Sequence, residues 1–238
     1  MYDPEEMNEL QDVDQLLDNA SNAIGKSLAG RRVEPGEIGP MQMAEALRAL
    51  IQQFEEIDAK VIPAYDNDLG DQALMLASEL AALAEQLALP DAKADLEKAS
   101  VGIALWVARH EGEIGELESV VNGFAESANI TASEETLRVL FHAMKRVLEH
   151  ASPSVRADAD QTNPHRPWRM LNFNFAIVAT RTQDEQLMHD AFDTLGRNLP
   201  QDAPGFFEEG LKQSEKSVYG PGVRKLMQEY FSRWAVRH

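Results

Sequence analysis

The sequence predicts an all-α protein of about ten helices. Apolar residues recur at steps of three and four along most of the chain, and this spacing places them on one face of a helix. Apart from residues 171–175, no stretch of strand length alternates apolar and polar residues. Prolines fall between the periodic segments, where a missing N–H group costs least. Because most connections are short, we expect consecutive helices to pack as antiparallel hairpins.

Five periodic segments cover the N-terminal part of the chain, and each has the apolar stripe of a half-buried helix. Their stripes are Val13, Leu17, Ala20, Ile24 and Leu28 in 8–28; Leu47, Leu50, Ile51, Phe54, Ile57 and Val61 in 40–62; Leu69, Ala73, Leu76, Leu80, Leu83 and Leu87 in 68–89; Leu96, Ala99, Ile103, Trp106 and Val107 in 91–111; and Ile114, Leu117, Val121 and Phe124 in 113–128.

The C-terminal part continues the same pattern. Residues 171–175 alternate apolar and polar side chains, but they lie inside a longer helical pattern, which predicts a helix there. The stripes are Leu137, Leu140, Phe141, Met144 and Leu148 in 133–151; Trp168, Leu171, Phe175 and Val178; and Val223, Leu226, Met227, Tyr230, Phe231 and Trp234 in 221–236.

Two irregular segments predict the domain organisation. Residues 29–39 separate an acidic N-terminal helix within 1–30 from the rest, and how firmly that helix attaches stays open. The remainder, 40–238, is predicted to form one repeat-like helical body that the helix at 221–236 closes as a cap. Residues 152–167 form a polar loop with three prolines.

Composition excludes several classes of protein. The 238 residues include 40 acidic and 22 basic side chains, for a net charge of −18. This charge repels phosphate backbones, so we expect no nucleic-acid partner. The chain has no cysteine, which excludes disulfides and thiolate chemistry. Residues 1–25 hold seven acids and no base, unlike a secretory or transit signal. No apolar run reaches the ~18 residues of a membrane span. We therefore expect a cytoplasmic protein that does not enter membranes.

The chain also contains an internal echo. Residues 101–128 align with 172–199 at an offset of 71, close to twice a period of about 34 residues. Each copy contains two predicted helices joined by a polar hinge. The matched positions are Val107 with Val178, Ala108 with Ala179, Leu117 with Met188, Val121 with Phe192, and Phe124 with Leu195.

This region resembles the tetratricopeptide-like helical repeats. Counted back from Pro200 as the closing proline of a repeat, Ala176 and Ala179 fall at packing positions, and Phe192 falls at the usual aromatic position. The Trp-Leu-Gly-Tyr set of the family is missing, and Met188 replaces its usual small residue. The resemblance implies a right-handed stacked array with a concave face for proteins or peptides. An irregular helical bundle is the alternative architecture.

No catalytic or metal-binding motif stands out. The six histidines are scattered, and Glu185 with His189 form an i, i+4 pair, a spacing more common in surface contacts than in ligand pairs. No Gly-x-Ser-x-Gly motif occurs, and the phosphate-loop-like end at Gly25–Ser27 lacks the first glycine. The sequence therefore predicts no metal, no cofactor and no catalytic residue.

One segment gathers residues typical of recognition. Arginine forks bind carboxylates bidentately, and tryptophan offers a flat apolar anchor. We interpret the segment as a candidate pocket for an acidic peptide or a small anion. Alternatively, the tryptophan belongs to the core, and the arginines pair with acids of this chain. The residues are Arg156, His165, Arg166, Trp168, Arg169, Asn172 and Asn174.

These observations favour a non-catalytic helical scaffold or adaptor that binds a protein or an acidic peptide. The first alternative is a receptor domain that senses a ligand or peptide with an anion-binding site around 163–174. The second is an all-α enzyme without a recognisable motif. A deep apolar pocket converging on Arg166, Trp168 and Arg169 would favour the receptor. The sequence identifies neither a partner nor an oligomeric state.

Overall fold

A computed structural model describes residues 10, 12–29, 39–62, 67–159, 161–216 and 219–235. This part of the chain forms eleven helices and no strand, which confirms the all-α prediction of about ten helices. The helices are α1 Val13–Leu28, α2 Pro40–Asp58, α3 Asn67–Gln86, α4 Pro90–Arg109, α5 Glu118–Ile130, α6 Glu134–His150, α7 Pro153–Arg156, α8 Pro167–Thr182, α9 Glu185–Asn198, α10 Ala203–Lys216 and α11 Pro221–Ala235.

Several predicted segments fall partly outside the described residues. They are 1–9 and 11 of the acidic N-terminal segment, 30–38 of the predicted break, residue 160 of the polar loop, and residue 236 of the predicted cap. Among the described helices, none is long and apolar enough to cross a bilayer.

The helix predicted at 113–128 begins later than expected, at Glu118. The preceding residues instead form an isolated parallel bridge between Ile114 and Ala151. The Ile114 N–H donates to the His150 carbonyl at 2.8 Å, and the Ser152 N–H donates to the Ile114 carbonyl at 2.8 Å. The Gly115 N–H donates to Asp71 Oδ1 at 2.7 Å. These external partners satisfy backbone groups that a helix would otherwise bond internally.

The chain divides into two compact units. The first unit contains Met1–Ser127 and Glu149–Val155, and the second contains Ala128–Leu148 and Arg156–His238. This division differs from the predicted domains 1–30 and 40–238. In the first unit, α1 packs on α2 and α4, and α3 also packs on both of those helices. The apolar stripe of α1 is buried, with Leu17 fully inaccessible, so α1 is part of the core of this unit.

The second unit has an aromatic core. Here α8 packs on α9, while α11 packs on α10 and α9. Phe192 lies edge-on to Phe207 and Tyr230, with ring centroids 5.2 and 5.1 Å away. Helix α11 buries Val223, Leu226, Met227, Tyr230 and Trp234. A Cβ atom at Gly196 would lie 2.4 Å from the Trp234 ring, so only glycine admits this indole against α9.

Candidate functional site

The arginine-rich segment folds into a neutral ion-pair network in the second unit. Arg166 precedes α8 and is only 8% exposed. Its Nε donates to Asp158 Oδ1 at 2.6 Å, and its Nη2 donates to Asp202 Oδ2 at 2.7 Å. Hydrogen bonding to Asp158, and secondarily to Asp202, raises the pKa of the guanidinium above its usual value. Arg166 therefore ties the loop before α8 to the residue that precedes α10.

Arg169 lies one turn into α8 and shares the same carboxylate. Its Nε donates to Asp202 Oδ1 at 2.7 Å, and its Nη1 donates to the Pro164 carbonyl at 2.8 Å. Its guanidinium carbon lies 4.1 Å from the centroid of the Phe173 ring. Two arginines and two aspartates thus balance one another, and the forks predicted to bind a foreign anion hold carboxylates of this chain.

Three further predicted site residues lie on α8. Trp168 is 4% exposed, and its indole nitrogen has no hydrogen-bond partner among the described residues. Asn172 is fully buried, donates to the Trp168 carbonyl at 2.9 Å, and accepts from Asn198 at 2.8 Å. Asn174 is half-buried, and its amide nitrogen also has no partner in the described part of the chain.

The remaining predicted residues lie at the surface. The side chains of Arg156 and His165 are exposed. The structure therefore brings Arg166, Trp168, Arg169 and Asn172 around the start of α8. It places Arg156 and His165 toward solvent, and the proposed anion site stays a prediction.

A cavity of about 680 Å³ opens beside this network in the second unit. Helices α8, α10 and α11 line it together with Gln201, Asp202 and Tyr219. Its apolar wall consists of Phe173, Ile177, Phe206 and Met227. Arg169 is the only member of the predicted set that lines the cavity, because the four-residue spacing of 169, 173 and 177 puts these positions on one face of α8.

Glycine on α10 keeps the cavity open. Gly205 lies in the lining, and a Cβ atom added there would meet nothing within 4 Å. A Cβ atom at Gly210 would lie 2.8 Å from Met227 Sδ, so glycine there lets α11 approach. Ile177 on the opposite wall is 46% exposed, unusually high for a large apolar side chain beside an aromatic core. The cavity thus has apolar surface that no side chain of the described residues covers.

The polar groups around the cavity are mostly satisfied within the chain. The Thr180 hydroxyl donates to the Ala176 carbonyl at 2.8 Å, and the Ser214 hydroxyl donates to the Leu211 carbonyl at 2.7 Å. Glu209 accepts a hydrogen bond from Gln213 at 2.6 Å. No ion pair joins Glu209 to a cationic side chain among the described residues, since Lys212 bonds to Glu208 instead. Among the described residues of the lining, Glu209 therefore carries a negative charge that no cationic lining side chain pairs with.

The first unit has a much smaller polar cavity of about 80 Å³. Lys93, Glu97 and Ser119 contribute to its lining. Glu97 is 6% exposed, and burial raises its pKa, although Lys93 at 3.8 Å partly offsets this effect. The Ser119 hydroxyl is buried and has no partner in the described residues. A volume of this size holds about one to three waters.

No cluster of three or more metal-ligating side chains occurs among the residues that the structure describes. Sequence reasoning missed most of the cavity, because Gly205, Phe206, Glu209 and Met227 come from α10 and α11, whose relation to α8 no local pattern shows. The one available signal was two glycines, Gly205 and Gly210, within a helix-length segment that has no other reason for them.

Comparison of the chain with protein-family models, curated proteins and solved structures gives no significant match. The resemblance to tetratricopeptide-like repeats therefore stays a prediction.

Proposed function

We propose that the protein is a non-catalytic binding protein whose second unit holds an apolar ligand in the cavity between α8, α10 and α11. The cavity itself is the observation that carries the proposal. Its volume of about 680 Å³ falls within the range of about 300–1,000 Å³ typical of small-molecule sites. The lining combines an apolar wall with polar side chains, as small-molecule sites usually do. This is the receptor alternative, in a site displaced from the predicted anion segment.

The energetics support binding of a modest ligand. Each buried methylene contributes about 0.8 kcal/mol, so a six-carbon chain gains about 5 kcal/mol before the entropic cost of association. A rigid aromatic ligand that covers Phe173, Ile177 and Phe206 buries more area at a lower entropic cost. We therefore expect weak binding of short aliphatic probes and tighter binding of flat aromatic ones.

A fluorescence titration with the neutral dye Nile red tests the proposal. Gly205→Leu places a side chain in the open space and should weaken dye binding at least tenfold. Gly205→Ala adds only a Cβ atom, which meets nothing within 4 Å, and should bind the dye like the wild type. Circular dichroism and thermal melting of both variants check that the fold is retained. Equal dye binding by all three proteins would reject the cavity as the site.

A second candidate is a scaffold that binds a protein partner through the first unit. Its support is charge: the first unit holds 8 basic and 27 acidic residues, for a net −19. Charge complementarity favours a basic partner for this unit, in place of the acidic peptide that the arginines predicted. The test is co-purification with a defined basic partner at low and high salt. A complex that dissociates with salt and is unaffected by Gly205→Leu would support the scaffold.

A further inference from the structure

We infer that the ligand of this cavity carries an alkylammonium group, with its apolar part against Phe173 and Phe206 and its charge toward Glu209. This inference rests on the proposed function and specifies the chemical class of the ligand. It depends on which charges in the lining are balanced and on which surfaces attract a cation.

In the described part of the lining, the one cationic side chain, Arg169, is already paired with an acid of this chain. Arg169 donates to Asp202, and Asp202 also accepts from Arg166. Arg166 in turn binds Asp158, so the network is neutral as a whole. Glu209 adds a negative charge that accepts a hydrogen bond from the neutral amide of Gln213, and Lys212, which pairs with Glu208, acts on it only through a longer-range Coulombic attraction. A carboxylate ligand would therefore meet repulsion at Glu209 and an Arg169 whose charge Asp202 already balances.

The walls of the cavity also favour a cation. Phe173 and Phe206 lie 5.0 Å apart between ring centroids, inclined by 54°, and both rings are partly exposed. Tyr219 adds a third aromatic ring to the lining. Aromatic faces attract cations through the ring quadrupole, and the Arg169 guanidinium already lies over one face of Phe173. The rings of Phe173 and Phe206 therefore offer a surface for the alkyl chain, and Glu209 with the ring of Tyr219 offers one for the ammonium group.

Three probes with the same six-carbon chain test the charge preference: hexylammonium, hexanol and hexanoate at pH 7, titrated into the full chain by calorimetry or NMR. We expect hexylammonium to bind about tenfold tighter than hexanol, and hexanoate to bind most weakly. Glu209→Gln should reduce the preference for hexylammonium over hexanol to twofold or less. Glu135→Gln, which removes an exposed carboxylate from the same unit, should leave the preference unchanged.

A lysine side chain of a peptide offers the same chemistry as a free amine. N-acetyl-lysine methylamide separates the two sources: tighter binding than hexylammonium assigns the site to peptide lysine, and weaker binding assigns it to a free amine.

The experiments distinguish a wrong charge assignment from a wrong proposed function. If hexanol binds and Gly205→Leu abolishes that binding, but hexanoate binds as well as hexylammonium, the charge assignment is wrong and the proposed function stands. A cation preference that survives Glu209→Gln also overturns the assignment. If none of the three probes binds and Nile red does not bind either, both proposals fail.

Discussion

Both units are built from helices, but they differ in net charge and in the number of aromatic side chains. The first unit carries a net charge of −19, whereas the second has 14 basic and 13 acidic residues, for a net +1. The second unit also holds 11 of the 16 aromatic residues of the chain. The cavity of about 680 Å³ lies in the second unit, and the cavity described above in the first unit has a volume of about 80 Å³.

Both units contain a tryptophan beside basic side chains and a carboxylate. In the first unit, Asp58 accepts from the Trp106 indole at 3.0 Å, from Arg109 at 2.8 Å and from His110 at 2.8 Å. Phe54 stacks on Trp106 with centroids 4.1 Å apart, which closes the cluster. In the second unit, the network of Arg166 borders open apolar space. An arginine and a tryptophan in one cluster therefore do not identify a binding site by themselves. The adjacent cavity of the second unit is what distinguishes the two clusters.

Of the variants that compare the two units, removal of α11 should have the largest effect. A chain ending at Gly220 loses five buried side chains, each worth about 1.5–3 kcal/mol when fully buried. We expect the second unit to unfold and the Nile red site to disappear, while the first unit keeps a cooperative transition in thermal melts. A truncated chain that keeps the dye site and the original melting profile would contradict the role of α11 in this unit.

Substitution of Arg166 by methionine should have the next largest effect. It leaves the carboxylates of Asp158 and Asp202, whose side chains are 9% and 18% exposed, without their shared cation. Removing one partner of a buried ion pair costs about 3–5 kcal/mol. Urea unfolding should show this loss. Arg169→Met is the matched control and should cost less, since Asp202 keeps Arg166. Equal losses for both variants would show that Arg166 has no special structural role.

Two glycine substitutions compare a tightly packed position in the first unit with an open position in the second. Gly123→Ala places a Cβ atom 2.4 Å from the Glu97 carbonyl oxygen, so we expect a loss of about 1–3 kcal/mol from forced backbone shifts. Gly205→Ala meets no atom within 4 Å and should stabilise α10 by up to about 1 kcal/mol. Thermal melting of both variants shows whether each substitution stabilises or destabilises the protein. If both changes in stability have the same sign, the proposed difference in packing between the two positions is wrong.

The Asp58 cluster predicts a pH-dependent contribution of smaller size. Burial alone would raise the pKa of Asp58, but hydrogen bonds from Arg109, His110 and Trp106 outweigh it, so the pKa lies below its ordinary value of 3.8. A lowered pKa stabilises the fold above about pH 4, and this stabilisation is lost as the pH falls through the folded-state pKa.

Asp58→Asn should therefore cost about 1–2 kcal/mol at pH 7 in urea unfolding, and the difference from wild type should shrink toward pH 3. Glu45→Gln on the exposed face of α2 is the control and should change stability by less than about 0.5 kcal/mol. A difference that grows on acidification would show that the sign is wrong.

Helical periodicity predicted the elements well, because each stripe is a local property of the sequence. It failed at 113–117, where Gly115 requires a contact with Asp71 that lies 44 residues away in the chain. The site prediction drew on residue types within one segment, which contains Arg166 and Trp168, and so could not include Asp202, which is 36 residues from Arg166. The cavity was not predictable, since periodicity shows which face of a helix is buried and not whether two buried faces leave space between them.

Methyl NMR of the full chain titrated with hexanol shows where a ligand binds, because it reports on individual residues. We expect saturable shifts at Ile177 and Met227, which line the cavity. Met75 and Ile130 are 49% and 82% exposed and lie outside the lining, so their methyl groups should stay unchanged. Shifts of equal size at all four residues, or shifts that persist in Gly205→Leu, would contradict a specific site in the second unit.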